Sequence, residues 1–512
     1  MVADPVFRYG VASGDPLSDR VMLWTHVDAP GPVTVEWTVA LDEDLHDIVA
    51  SGSVEASTEA GGAVHVDVTG LEPGTTYHYG FRALDETSPV GRTRTLPDPA
   101  DHVRFAMVSC AKFNAGFFNA YARIADRTDL DFLLHLGDYI YEASNTPPKS
   151  QTPGADLGRP FDPLHECVTL DDYRTRYRQY RLDPDVQRLH AAHPVIATLD
   201  DHELADGAWR DGAAEHRPEY GPWSQRRANA FRAREEWLPI RRVDPADPER
   251  VWRRVPVGDL ADLFLIDTRT RRDEPQPGPA MDDPARSALG AEQRAWLLQG
   301  LADSRARWRL LANPSVMGQT WNPVLPDDVR GALRKVKLLA DDMQGPDFDQ
   351  WDGYPVERDA LFEHVIDHGM DNLVVLSGDV HVSLALELHR RPFEATDRPL
   401  AVEFVTPSLT SQNLDDKMGW PRRGPDSRAV EARAVEFLPH WEWVDLDSHG
   451  YVVVDVTAER VTAEWWHLDT VLERSPTEEC GAVFSVPHGT PRLERLDRAD
   501  PESGVAQEPA AG

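Results

Sequence analysis

The 512-residue chain has only three cysteines, Cys110, Cys167 and Cys480. So few cannot staple a disulfide scaffold; they allow at most one bridge, with one thiol left over. Lysine is nearly as scarce. It occurs only at 112, 149, 335, 337 and 417, and every other basic side chain is Arg. No uninterrupted apolar run reaches the ~18 residues needed to cross a bilayer. The opening MVADPVFRYGVASGDP lacks a basic stretch followed by an apolar core, so it does not read as a signal peptide. A cytoplasmic protein, or an exported one whose leader lies outside this sequence, fits these absences.

Positive charge is also in deficit. There are 53 basic residues against 87 acidic ones, a net charge of −34. Such an average field repels a nucleic-acid backbone and argues against a nucleic-acid groove. An anionic ligand would need a local positive site, and bound metal cations can supply one.

The chain is too long for one typical domain. Residues 1–98 read as a small β-sandwich. VMLWTHV, VTVEWTVAL, AVHVDVTGL and TYHYGFRAL are short alternating runs separated by Gly, Pro and Asp. LEPGTTY, at 71–77, resembles the strand corner of fibronectin type III-like domains. GRTRTLPDPADH follows as a linker. Residues 99–490 change grammar: runs such as RFAMVSC, DFLLHLGD and NLVVLSGDVH alternate with helical stretches such as LDDYRTRYRQYR and GAEQRAWLLQGLADS. This is an α/β pattern. GYVVVDVTAERVTAEWWHL reads as a hairpin closing a sheet edge, and 491–512 as a polar, flexible tail.

Metal-friendly side chains fall at the ends of the apolar runs. RFAMVSC ends on Cys110. DFLLHLGD ends on Asp138, with Tyr141 three residues on. HPVIATLDDHE ends on Asp200, Asp201, His202 and Glu203, and NLVVLSGDVH on Asp379 and His381. Open α/β sheets build their sites at such carboxyl ends. Each residue alone has a plainer reading: a buried thiol, a turn Asp, a helix-start acid, a structural His. Four strand ends in one domain favour a site. Thiolate, phenolate and imidazole suit a transition metal, and the carboxylates suit Ca²⁺, Mg²⁺ or Mn²⁺. A carboxylate can bridge two metals in the arrangement used for displacement at phosphorus.

At these residues the chain resembles the alkaline phosphatase D (PhoD-like) branch of the calcineurin-like metallophosphoesterases. SCAKFNAGFFNAY, LHLGDYIYE, YRTRYRQYRLDP, LDDHELADGAW, IDTRTRR, WDGYPVER, LSGDVHVS and HGY resemble its blocks in the right order. The resemblance implies a two-sheet α/β sandwich of metallophosphoesterase type, preceded by the small fibronectin III-like domain. It implies Fe³⁺ with one or two Ca²⁺, held by Cys110, Asp138, Tyr141, Asp201, Asp379 and His381. Asp138 takes the bridging position, Asp201 that of the usual ligand Asn, and His202 that of the phosphate-contacting His. Apart from the resemblance, Arg269, Arg272 and Arg358 are candidates for phosphate contact, since Arg can bind it bidentately; a surface or interdomain salt bridge is the plainer reading for at least two of the three. Asp352 and His449 are candidates to support the ligands, with a purely structural role an equal alternative. The sequence departs from the family at Asp206-Gly207, where an Asn is usual, which bears on the second calcium.

The expected activity is metal-dependent hydrolysis of a small-molecule phosphoester, with Asp201 and His202 catalytic. Two alternatives stand beside it: a phosphodiesterase preferring polymer or lipid headgroup linkages, and a noncatalytic metal- or phosphate-binding surface protein. Oligomeric state is left open.

Overall fold

Phe105 and Met107 lie on one side of the strand His102–Val108 and Ala106 and Val108 on the other, and each side is buried in a separate core. The same holds for Leu134 against Leu133 in Phe132–His135, and for Val374 and Leu376 against Leu373 and Val375 in Leu373–Ser377. Strands covered on both faces read as continuous apolar runs rather than alternating ones, which is why these segments stand out in the sequence. The computed structural model describes residues 5–28, 31–56, 59, 61–145, 157–340, 345, 347–394 and 398–497.

Two large sheets face each other. The first has ten strands, in the order Glu494–Arg495, Glu478–Pro487, Arg460–Leu468, Gly450–Thr457, His102–Val108, Phe132–His135, Pro194–Ala197, Val11–Gly14, Arg20–His26 and Ala63–Thr69. The second has seven: Arg253–Val257, Ala261–Leu265, Trp308–Asn313, Leu373–Ser377, Ala401–Val405, Ser383–Leu388 and Trp441–Asp445. The central strands of each sheet run parallel. Phe105, Phe132, Leu134, Leu310, Val374, Phe404 and Trp465 fill the space between the sheets.

Helices cover both outer faces. Leu170–Arg181 starts at Thr169, whose side chain accepts from the Asp172 amide while the Asp172 carboxylate accepts from the Thr169 amide. This reciprocal cap satisfies two otherwise unpaired donors. Tyr173, Tyr177 and Tyr180 then recur at helical spacing and pack on the first sheet. Gly290–Asp303, Asp327–Lys335, Pro355–Asp367 and Pro425–Phe437 cover the second. The result is the expected two-sheet α/β sandwich.

The N-terminal region differs from a free-standing sandwich. Its strands Ile48–Ala56, Val33–Ala40, Thr76–Ala83 and Glu86–Thr87 form a separate sheet around a core of its own, which includes Val35, Tyr77 and Phe81. Its other strands, Val11–Gly14, Arg20–His26 and Ala63–Thr69, continue the large ten-stranded sheet, because Ser13 and Gly14 pair in parallel with Pro194 and Val195. Hydrogen bonding therefore crosses the boundary drawn at residue 98. Gly91–Arg94, read as linker, is a strand paired with Thr76–Ala83, with Gly91 and Thr93 inward. Its polar composition hides that pairing. The Gly450–Leu468 hairpin is internal rather than at an edge, since Glu478–Pro487 and Glu494–Arg495 add beyond it. Residues 494 and 495 thus belong to a sheet, and 498–512 of the expected tail lie outside the described residues. All three cysteines are free thiols, so the allowed bridge is absent. Among the described residues no helix is long and apolar enough to cross a membrane.

Phe105 is fully buried and stacks on Phe132 with ring centroids 4.6 Å apart. Phe105→Ala is expected to cost about 3–5 kcal/mol, read as a lower chemical-denaturation midpoint. A loss below about 1 kcal/mol would mean the inter-sheet core relaxes around the gap.

Candidate metal centre

Both sheets deliver side chains to the same end of the sandwich. Cys110 follows His102–Val108, Asp138 follows Phe132–His135, and Asp200 and Asp201 follow Pro194–Ala197. Asp379 and His381 follow Leu373–Ser377 of the opposite sheet. The sheets touch here through a parallel bridge between Ser109 and Ser408. The amides of Cys110 and Ala111 donate to the carbonyls of Gly137 and Asp138 at 3.3 and 2.9 Å, tying two of the loops together.

The two Gly-Asp pairs have a steric reason. A Cβ on Gly137 would meet the Asp200 nitrogen at 2.4 Å, and one on Gly378 would meet the Ser109 Oγ at 2.6 Å. Only glycine lets these loops approach so closely. The acids that follow adopt left-handed backbone, with φ of +55° at Asp138 and +70° at Asp379; Cys110 and His381 do so as well, at +62° and +59°. Each such residue costs about 1–3 kcal/mol and persists only where its surroundings over-determine it. Four of the six expected ligands carry this strain.

Glu203 supplies much of that determination. Its carboxylate accepts from the amides of Asp138, Tyr139 and Asp200 at 3.0, 2.6 and 2.9 Å. It gathers two strand-end loops on one buried side chain.

The donor atoms converge on Asp138. Ligand atoms of Cys110, Asp138 and His381 lie within 4.8 Å of one another, as do those of Asp138, Asp201 and His202, and those of Asp138, Asp200, Asp201 and Asp379. Asp138 is common to all three groups. Tyr141 Oη donates to Asp138 Oδ2 at 2.9 Å and accepts from Ser411 Oγ at 2.6 Å. Cys110 Sγ is 3.4 Å from the same Asp138 oxygen. All six expected ligands are therefore together.

The atoms present fit a cation. Asp201 Oδ1 is buried with no hydrogen-bond partner, while its Oδ2 accepts from the Gly207 amide at 2.7 Å. His381 Nδ1 donates to the Gln412 carbonyl at 3.0 Å, which leaves the Nε2 lone pair free to ligate. Burial, reinforced by Lys417, Lys337 and Lys112, holds that imidazole well below its usual pKa, in the neutral form a metal needs. Burial pushes the Asp138 carboxyl well up, and Asp201, Glu203 and Asp379 add to the rise against the opposing His202. Burial and then Asp138 likewise raise Cys110 and Tyr141. A multivalent cation among these groups would reverse that pressure and keep them ionised.

The remaining expected residues are placed less uniformly. His202 belongs to the cluster; its Nδ1 donates to Glu142 Oε2 at 2.8 Å, and its own amide donates to Asp138 Oδ1 at 3.2 Å. Arg269 is fully buried and committed to carboxylates. Its Nη2 donates to Asp200 Oδ2 and Asp379 Oδ2, both at 2.9 Å, and its Nε and Nη1 pair with Asp200 and Asp349. It holds ligands rather than offering a free fork. Arg272 is tied to Asp349 and the Ala208 carbonyl. Arg358 bonds Asp352 and the Met317 carbonyl. Its partner Asp352 also accepts from the Thr320 amide, so both serve local structure. His449 links Ser408 and Asp416, each at 3.1 Å. Asp206 stands outside the donor groups and pairs with Lys337 at 3.6 Å. Sequence reasoning missed the roles of Glu142, Glu203, Asp349 and Gln350, the last a donor to Asp379. Only Glu142 and Glu203 carried a signal, each lying inside a motif block.

A sandwich of two parallel-centred sheets with acids and a His at facing strand ends is the architecture of the metallophosphoesterase class. Comparison with known proteins is specific. A family model described as PhoD-like phosphatase matches residues 105–465, and one described as PhoD-like phosphatase, N-terminal domain, matches residues 1–97. The chain is 34% identical over 527 residues to alkaline phosphatase D of Bacillus subtilis (strain 168), spanning 98% of this chain and 84% of that protein. A solved structure described as "Structure of PhoD" superposes with a TM-score of 0.85 at 31% identity, covering 98% of this chain and 94% of that one. The chain belongs to the PhoD-like phosphatase family and is, as such, a phosphoester hydrolase.

Glu203→Ala would leave three buried amides without their acceptor. It is expected to weaken metal retention 10–100-fold, measured as metal remaining per chain against a graded chelator. Retention equal to that of the unaltered protein would show that the loops keep their shape without Glu203.

Proposed function

We propose that the chain hydrolyses small-molecule phosphoesters at a mixed Fe³⁺ and Ca²⁺ centre, with Asp138 as the shared ligand. The observation that carries this is the membership of Asp138 in all three donor groups. Cys110, Tyr141 and His381 would hold Fe³⁺, since thiolate, phenolate and imidazole are its donors here. Asp201 and Asp379 would hold Ca²⁺, an oxygen-seeking ion. When bound, such metals neutralise phosphate oxygens and lower the pKa of water.

The chain's own residues then divide the remaining work. His202 is held by Glu142 through Nδ1, which directs Nε2 to a reacting group. Burial opposes its charge, but Glu142, Asp138 and Asp201 together hold its pKa well above the usual value. With Nδ1 held by Glu142, the ring is placed to give a proton to the departing oxygen as the P–O bond breaks and water supplies the new one. Arg269 and Gln350 position Asp379. Asp201 keeps one oxygen for the metal by giving the other to Gly207.

His202→Ala is expected to lower turnover about 10²–10⁴-fold with metal content unchanged. Undiminished turnover would remove it from the reaction. Elemental mass spectrometry of the purified protein should find iron near one per chain together with calcium, with a charge-transfer colour and activity lost on chelation. Active protein without iron would overturn the roles of Cys110 and Tyr141. Metal-replete protein inert toward monoesters and diesters alike would support the binding-protein alternative.

A further inference from the structure

The scarcity of lysine acquires meaning in three dimensions. Three of the five lysines come near the metal centre, and they arrive from separate segments. Lys112 follows the strand end that carries Cys110, with its ammonium 5.5 Å from the Tyr141 ring centroid. Lys337 lies just past the helix Asp327–Lys335, half exposed, with a left-handed φ of +59° and 3.6 Å from Asp206. Lys417, in the short helix Leu414–Met418, donates to the Lys335 carbonyl at 2.6 Å. Lys112 faces Asp138 and Glu142, and Lys337 faces Asp201 and Asp379. All three act on one another and on His381.

Three ammonium groups thus lie beside the acidic cluster, and Lys337 among them is already paired with Asp206. Among the described residues Lys112 and Lys417 make no ion pair within 4.0 Å, whereas Arg269, Arg272 and Arg358 are each committed to carboxylates. Burial, with Lys337 and Lys112, pushes the Lys417 ammonium down to about 7; an anion among the three would relieve that repulsion. The residue type also matters. Lysine presents a compact charge on a flexible stem, suited to an anion of variable position, where arginine imposes a fixed fork.

We propose that Lys112, Lys337 and Lys417 form a subsite for a second anionic group, carboxylate or phosphate, carried elsewhere on the same phosphoester. The proposal rests on the reading of the chain as a phosphoester hydrolase and narrows its substrate class to esters with an additional negative charge.

Steady-state kinetics of the metal-loaded enzyme test it with two substrate pairs. One is 3-phosphoglycerate against glycerol 3-phosphate, and the other fructose 1,6-bisphosphate against fructose 6-phosphate. The unaltered enzyme is expected to show about a tenfold lower KM for the doubly anionic member of at least one pair. Which pair responds tells a carboxylate from a second phosphate. The double variant Lys337→Gln/Lys417→Gln should abolish that preference, raising KM for the doubly anionic ester to that of its partner in the pair, with metal content per chain measured on the same sample. Added salt should erode the preference in the unaltered enzyme. Melting temperature and circular dichroism check the fold, and the exposed Lys337→Gln alone carries the test if the double variant unfolds. Equal KM values within both pairs, or a preference that survives the variants, overturns the subsite. Failure to hydrolyse these four esters, p-nitrophenyl phosphate and bis(p-nitrophenyl) phosphate overturns the hydrolase reading beneath it.

Discussion

Asp138, Asp200, Asp201, Asp379 and Glu203 are all buried at one end of one sandwich. Carboxylates so close in a poorly solvated site repel one another and resist ionisation. Much of the surrounding structure serves to hold them there. Glu203 is stabilised by three backbone amides, Asp200 and Asp379 by Arg269, and Asp379 again by Gln350. The left-handed turns at Cys110, Asp138, Asp379 and His381 are the backbone counterpart of the same constraint. A chain free to relax would separate these groups; two packed sheets do not allow it.

The sheets matter because neither could build the centre alone. The first contributes Cys110, Asp138, Tyr141, Asp201 and His202, and the second Asp379, His381 and the anchoring Arg269. The inter-sheet core of Phe105, Leu134, Val374 and Phe404 therefore sets distances between ligands as well as stability. The N-terminal strands take part too. By extending the ten-stranded sheet from Pro194–Ala197, Val11–Gly14 braces the strand that ends in Asp200 and Asp201. Arg241 and Arg253, both bonded to Asp15, secure that junction from the catalytic side.

The charge distribution is equally local. A net charge of −34 disfavours anions at long range. The site faces phosphate through what it can bind and through the few lysines near it. That division explains how an acidic protein can take an acidic substrate without offering a general anion-binding surface.

The α/β class, the doubly buried strands and the strand-end ligands were legible in the sequence, because each depends on local composition and spacing. Period-two burial on both faces leaves an apolar run, and a close loop approach leaves a glycine before an aspartate. The participation of Gly91–Arg94 in a sheet was not legible, since its pairing partner lies elsewhere in the chain. The continuity of the N-terminal strands with the catalytic sheet was hidden for the same reason. Arginine chemistry was also ambiguous: Arg269, Arg272 and Arg358 look alike as candidate phosphate ligands, and only their neighbours commit them to Asp200, Asp349 and Asp352. The sequence by itself determined which side chains this protein can bring to a metal and which backbone turns can carry them. Tertiary structure alone decided which carboxylate is common to the three donor groups and which arginines are spent on holding others, because those are relations between atoms far apart along the chain.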